Sequence, residues 1–213
     1  MKIFNHLSPE YIDTHIAHNN GAYYYAIEIN DRIIPKIKTE RNWVLLNVPG
    51  CCWDNSIVFI HNNKNPERYF WMKDYKNLIL VCSSLKTLNF MIEMFPQFHS
   101  VFIPLNVDVE YVKQFRVPYK TKEVAYFGRM EKFPENWNDT IDKLYSSDRD
   151  SLLKEVAKYK TVYAIGRCAI EAKILGCKVL LHPGEYEKVE FEVIDNEEII
   201  PELQRLLNEI DGV

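Results

Sequence analysis

Short apolar runs alternate with longer amphipathic segments along most of the chain. Tyr23–Ile29, Trp43–Val48, Ser56–Ile60, Leu78–Cys82 and Ser100–Ile103 predict strands in the first half. Val124–Phe127, Thr161–Ile165, Cys177–Leu181 and Val189–Val193 predict strands in the second. Brief continuous apolar stretches of this kind suit strands buried on both faces. Helices are predicted at Ser8–His18, Pro66–Asp74, Ser84–Phe95, Val109–Phe115, Asn136–Tyr145, Asp148–Lys158, Arg167–Leu175 and Asn196–Ile210. The clearest is Ser84–Phe95, where Leu85, Leu88, Met91, Ile92 and Phe95 recur at helical spacing. Pro96 ends it, because the residue before a proline is pushed out of the helical region. The last helix carries Ile199, Ile200, Leu203, Leu206, Leu207 and Ile210 on one face. Strands alternating with helices predict an α/β protein with parallel sheets.

A proline-flanked stretch from Pro104 to Pro118 divides the chain into residues 1–108 and 109–213. The expected architecture is two small Rossmann-like domains. Composition, at 47% hydrophobic and 26% charged, fits a globular protein. A net charge of −4 provides no global basic field to draw in nucleic acid. No run approaches the ~18 to 20 apolar residues of a membrane span. Met1-Lys-Ile-Phe-Asn-His lacks the apolar core of a signal peptide. The five cysteines follow no metal-ligand spacing, which predicts free thiols and a reducing, cytoplasmic setting. No Gly-x-Gly-x-x-Gly follows an early strand and no P-loop is present, against dehydrogenase and kinase-like chemistry.

The most informative stretch runs from Tyr163 through Gly166, Arg167, Cys168, Glu171 and Gly176 to Leu181. It reads as a loop, an Arg at a helix start, a helix carrying one inward Glu, a Gly stop and a buried strand. Helix N-terminal amides attract phosphate. Arg167 adds a fork of donors, and a carboxylate one turn on can accept from ribose hydroxyls. Cys168 is a conceivable nucleophile, because the helix start and Arg167 would lower its pKa, but no His partner is readable nearby. The triplet Asp148-Arg-Asp150 could hold a metal; its place at a helix start favours a capping role.

Four segments together resemble the retaining GT-B glycosyltransferases, group 1-like, in a small and trimmed form. Glu171, Ala172, Gly176 and Val179 match the donor-site pattern Glu-Ala-x-x-x-Gly-x-x-Val. Val124-Ala-Tyr-Phe-Gly128-Arg129-Met-Glu-Lys132 resembles the strand and Gly-Arg turn that open the nucleotide-sugar domain. Val101-Phe-Ile-Pro104-Leu-Asn106-Val107-Asp108 resembles the interdomain linker, and Leu78-Ile-Leu-Val-Cys-Ser83 the strand before it. The matches span residues 78 to 181 in the family's order.

The resemblance implies two domains facing across a cleft, acceptor side in 1–108 and nucleotide-sugar side in 109–213. It implies a metal-independent glycosyltransferase using a UDP- or GDP-linked sugar. Gly128, Arg129 and Lys132 would meet the diphosphate, Gly166 and Arg167 the phosphates or sugar, and Glu171 the ribose. A second family glutamate, eight positions earlier, would fall at Tyr163, which instead offers a hydroxyl or a stacking face.

In the first half, His61 at a strand end is the candidate facing the anomeric carbon, and Asp54 the candidate for deprotonating the acceptor. A capped loop histidine and a solvated turn aspartate are the plain alternatives. Trp53, Tyr69, Phe70 and Trp71 offer a stacking face or ordinary packing. The acceptor is unidentified. The basic and aromatic stretch Lys64–Lys76 allows DNA, as in phage-type enzymes that glycosylate DNA bases; another glycan is the other class. A non-catalytic nucleotide- or sugar-binding protein with a degenerate GT-B fold is the competing reading, since the first half is shorter than a family acceptor domain.

Overall fold

The computed structural model describes residues 1–4, 21–46, 52–61, 66–128, 133, 141–144, 146, 148–181 and 192–212. The helix expected at Ser8–His18 lies outside these residues, as does most of the strand expected at Val189–Val193. The chain forms two compact units. One comprises Met1–His6, Tyr25–Leu105 and Asn196–Val213; the other comprises Leu7–Tyr24 and Asn106–Asp195. The final helix therefore groups with the first unit, while the sequence division counts it in the second half.

The first unit is a parallel sheet of β1 (Ile3–Phe4), β2 (Asn42–Val44), β3 (Ser56–Ile60), β4 (Ile79–Cys82) and β5 (His99–Phe102), in sequential order. Every residue of β3 and β4 is buried, as their unbroken apolar runs require. Helix α2 (Leu85–Met94) starts at Ser84, whose hydroxyl accepts from the Thr87 amide at 3.1 Å. It buries Met91, and the Phe95 that follows it, against Val58 and Leu80; side chains of this size contribute about 1.5–3 kcal/mol each.

The strand expected at Tyr23–Ile29 is instead helix α1 (Gly21–Glu28). Tyr24, Tyr25, Ala26 and Ile29 are all buried, and a run buried on several sides carries no period that separates strand from helix. β2 pairs in parallel with the shorter β1 on one side and with β3 on the other.

The second unit holds β6 (Lys122–Phe127), β7 (Asp142–Leu144), β8 (Tyr159–Ala164) and β9 (Lys178–Leu180), all parallel, in the order β7-β6-β8-β9. Strand β7 lies inside the segment where a helix, Asn136–Tyr145, is expected; residues 134–140 and 145 lie outside the described set. Its exposed Asp142 and Lys143 beside buried Leu144 suit a short charged edge strand. Helices α3 (Val109–Lys113), α4 (Arg149–Val156) and α5 (Gly166–Ile174) complete this unit, and α6 (Asn196–Asp211) completes the first. The ammonium of Lys120 donates to Ala157 O and Leu175 O, each at 2.7 Å, closing the ends of α4 and α5. Both helices thus end at the amino edge of the sheet and begin at its carboxyl edge.

Candidate functional site

In the second sheet the chain enters at β6, steps to β7 on one flank, then crosses to β8 on the other. The connections after β6 and β8 diverge, and in doubly wound sheets ligands bind at the carboxyl edge beside such a divergence. The first sheet, with its sequential order, has no such reversal among its described strands. The crossover point falls beside Gly128, which follows β6, and Ile165-Gly166, which follow β8. Gly166 has φ +55°, and a Cβ there would meet no atom of the described residues within 4 Å, so among these the turn into α5 is open where its first amides lie.

Two arginines stand at helix starts here. Arg149 is the first residue of α4 and Arg167 the second of α5. A helix N-terminus carries positive potential and favours anions, so a cation at each is locally unfavourable. Glu171, one turn into α5 and fully buried, offsets them. Its Oε1 accepts from Arg167 Nε at 2.7 Å and from Arg149 Nη2. Arg167 is 7% exposed and Arg149 17%. The Arg149 guanidinium carbon lies 4.4 Å from the Tyr24 ring centroid. Burial alone pushes the Glu171 carboxyl up, but the two guanidiniums overcome this and hold it below the ordinary glutamate value. One carboxylate oxygen thus serves two cations, and Asp148 and Asp150 flank Arg149 at the start of α4. Neighbouring Asp150 accepts from the Tyr111 hydroxyl at 2.6 Å.

Arg149 was not legible as a site residue. It sits between two carboxylates that read as a cap, and Asp148 does cap α4, accepting from the Ser151 amide at 2.9 Å. The available signal was a cation at the first position of a helix, against the dipole.

The expected site residues fare differently. Tyr163 lies half-buried on β8, opposite Tyr126 of β6. Arg129 and Lys132 lie outside the described residues. Gly128 is buried, and a Cβ there would lie 2.7 Å from the Tyr126 hydroxyl and 2.9 Å from its Cζ. The tight approach at this glycine is therefore to a buried tyrosine ring. Gly128→Ala is expected to destabilise by about 1–3 kcal/mol through overpacking, read as a lowered urea midpoint.

Cys168 departs from expectation. Burial, with Glu171 nearby, pushes its thiol up to about 12 despite the arginines. A half-buried thiol raised in this way is a poor nucleophile. Cys168 should resist iodoacetamide at pH 8 in the folded protein and react once urea exposes it; mass spectrometry of the labelled peptide reads the difference.

His61 follows the carboxyl end of β3. Its Nε2 lies 2.6 Å from Leu45 O, and a carbonyl only accepts, so Nε2 carries the proton. Burial lowers the imidazole pKa, leaving a neutral ring with Nδ1 as the acceptor. Asp54 precedes β3 at the opposite edge. Its Oδ1 accepts from the Lys76 amide at 2.7 Å, in a turn with Asn55 at φ 56°. At about 3.3 Å per strand residue the two lie roughly 20 Å apart, so they do not form one site. Of the aromatic stretch, Tyr69 and Met72 are core, Trp71 is half-buried edge-on to Tyr75, and Phe70 is exposed beneath Lys73.

A groove of about 430 Å³ lies along β7 and α4, lined by Lys122, Asp142, Lys143, Ser151, Glu155 and Tyr159 among others. Much of its polar surface is engaged internally. Lys122 donates to Glu155 at 2.7 Å and to Tyr159 at 3.1 Å, and Tyr159 donates to Asp142 at 2.7 Å. Among the described residues no cluster of His, Cys, Asp or Glu could hold a metal ion. No described helix is long and apolar enough to cross a membrane. Comparison with protein-family models, curated proteins and solved structures found no match for the chain.

Proposed function

We propose that the second unit binds a nucleoside diphosphate at the carboxyl edge of its sheet, and that the chain transfers a sugar from such a donor without a metal ion. The observation that carries this is the meeting of Arg149, Arg167 and the first amides of α5 at the crossover between β6 and β8. Guanidiniums and helix amides can neutralise a leaving diphosphate as a cation would, by preorganised charge. In this reading phosphate approaches the backbone at the Gly166 turn, and Tyr163, half-buried on β8, is the candidate for the sugar. The neutral ring of His61 is the candidate base on the first unit. The GT-B-like pairing of two α/β domains belongs to this reading. The donor is UDP- or GDP-linked, and the acceptor class stays open between DNA and another glycan.

Calorimetric titration of UDP, GDP, CDP and dTDP, with and without Mg²⁺, tests it. One nucleotide should bind without Mg²⁺, and Arg149→Ala should weaken it about tenfold, the loss of one charged hydrogen-bond donor set. Absence of binding by all four would overturn the reading. A second reading, binding without transfer, is favoured by the position of Asp54 at the far end of β3 from His61. Hydrolysis of the bound sugar nucleotide separates the two.

A further inference from the structure

We infer that Glu171 is a positioning residue: it fixes the two guanidiniums that hold the diphosphate and does not itself touch the ligand. This rests on the diphosphate reading above. It gives the carboxylate a different part from the ribose contact that the resemblance implies.

The geometry argues for it in three ways. Glu171 is 0% exposed, so no ribose hydroxyl reaches it while its surroundings stay in place. A single oxygen, Oε1, takes both arginines, which brings two forks of donors to one point from two helices. Arg149 is the more exposed member, and among the described residues its guanidinium makes one ion pair, through Nη2, and rests on Tyr24. The rest of that fork is available to a bidentate oxyanion. Without the carboxylate, two like charges at neighbouring helix starts would repel and swing apart. The rival role belongs to Oε2, which is buried and has no hydrogen-bond partner among the described residues. If the surrounding side chains moved, Oε2 could accept from a ribose hydroxyl.

Inorganic pyrophosphate, which has no ribose, separates the two roles. Pyrophosphate, UDP and GDP are titrated into wild type and Glu171→Gln, with fold checked by the amide spectrum of each. Positioning predicts that Glu171→Gln weakens pyrophosphate and the nucleotide by the same factor, about tenfold. A loss confined to the nucleotide, with pyrophosphate unchanged, would overturn the inference and leave the diphosphate reading standing. No binding of either ligand to wild type would overturn both. A readout without ligand is the Arg167 Nε–H resonance, which should be shifted and slow to exchange in wild type and normal in Glu171→Gln. An unaltered resonance would count against positioning. Should Glu171→Gln not fold, Arg149→Lys keeps the charge and removes the fork. It must weaken both ligands alike, and selective loss of the nucleotide would again refute the inference.

Discussion

Glu171→Ala is expected to destabilise the second unit by about 3–5 kcal/mol, the cost of leaving buried charge without its partner. The carboxylate holds Arg167, at 7% exposure, and Arg149, at 17%, on one oxygen. Removing it leaves two guanidiniums at the positive ends of two helices without the carboxylate they share. Replacing Arg149, Arg167 and Glu171 together by apolar side chains should destabilise far less, because breaking a buried ion cluster is worse than never forming one. Urea denaturation with amide exchange read along α5 measures both variants. A Glu171→Ala effect under about 1 kcal/mol would show that water reaches the cluster. The same cluster sets a pH dependence. The folded carboxyl lies below the ordinary glutamate value of 4.5, so its stabilisation is complete above that value. It is lost as pH falls through the folded pKa, and Glu171→Gln should remove that acid-sensitive component.

Arg41→Ala should destabilise the first unit by about 3 kcal/mol. Arg41 is 6% exposed and joins three separate segments. Its Nε and Nη2 donate to Asp211 Oδ1 at 2.9 and 2.5 Å, and its Nη1 donates to Asn77 O at 2.8 Å. One side chain thus secures the end of α6 and the turn before β4, where Asn77 has φ 55°. Asp211→Asn should cost less, because the bond to Asn77 survives. Arg41→Lys should fall between, keeping the charge without the bidentate fork. Calorimetric melting of the three variants gives the order, and α6 should show the largest gain in amide exchange for Arg41→Ala. Equal melting of Arg41→Ala and wild type would mean that α6 is held by Leu203 and Leu207 packing alone.

Where sequence and structure agree, the cause is local. Strand β3 is read to the residue because its apolar run has no competing period. Helix α2 is bounded by Ser84 and by the proline after Phe95, both short-range effects. Asp148 was legible as a cap for the same reason. The departures are tertiary. Tyr24 and Tyr25 favour strands intrinsically, yet they are helical because burial on more than one side overrides propensity. β7 is a strand because β6 pairs with it, and nothing within Asp142–Leu144 announces that. At the site, the residues of α5 were visible as a motif, whereas Arg149 reaches Glu171 from 22 positions away. Glu171 was identified by position, but its burial between two arginines could not be read from spacing. His61 and Asp54 are close in sequence, but a strand runs between them, and an extended chain separates what it connects.

The most direct test of the central claim is an amide spectrum of the ¹⁵N-labelled protein titrated with UDP and with GDP in the absence of Mg²⁺. The account predicts that the largest shifts fall on Gly166, Arg167 and Cys168 at the start of α5, with the Arg149 side chain moving in step. Unmoved resonances there, or shifts centred on the groove residues Lys143, Ser151 and Glu155, would contradict it.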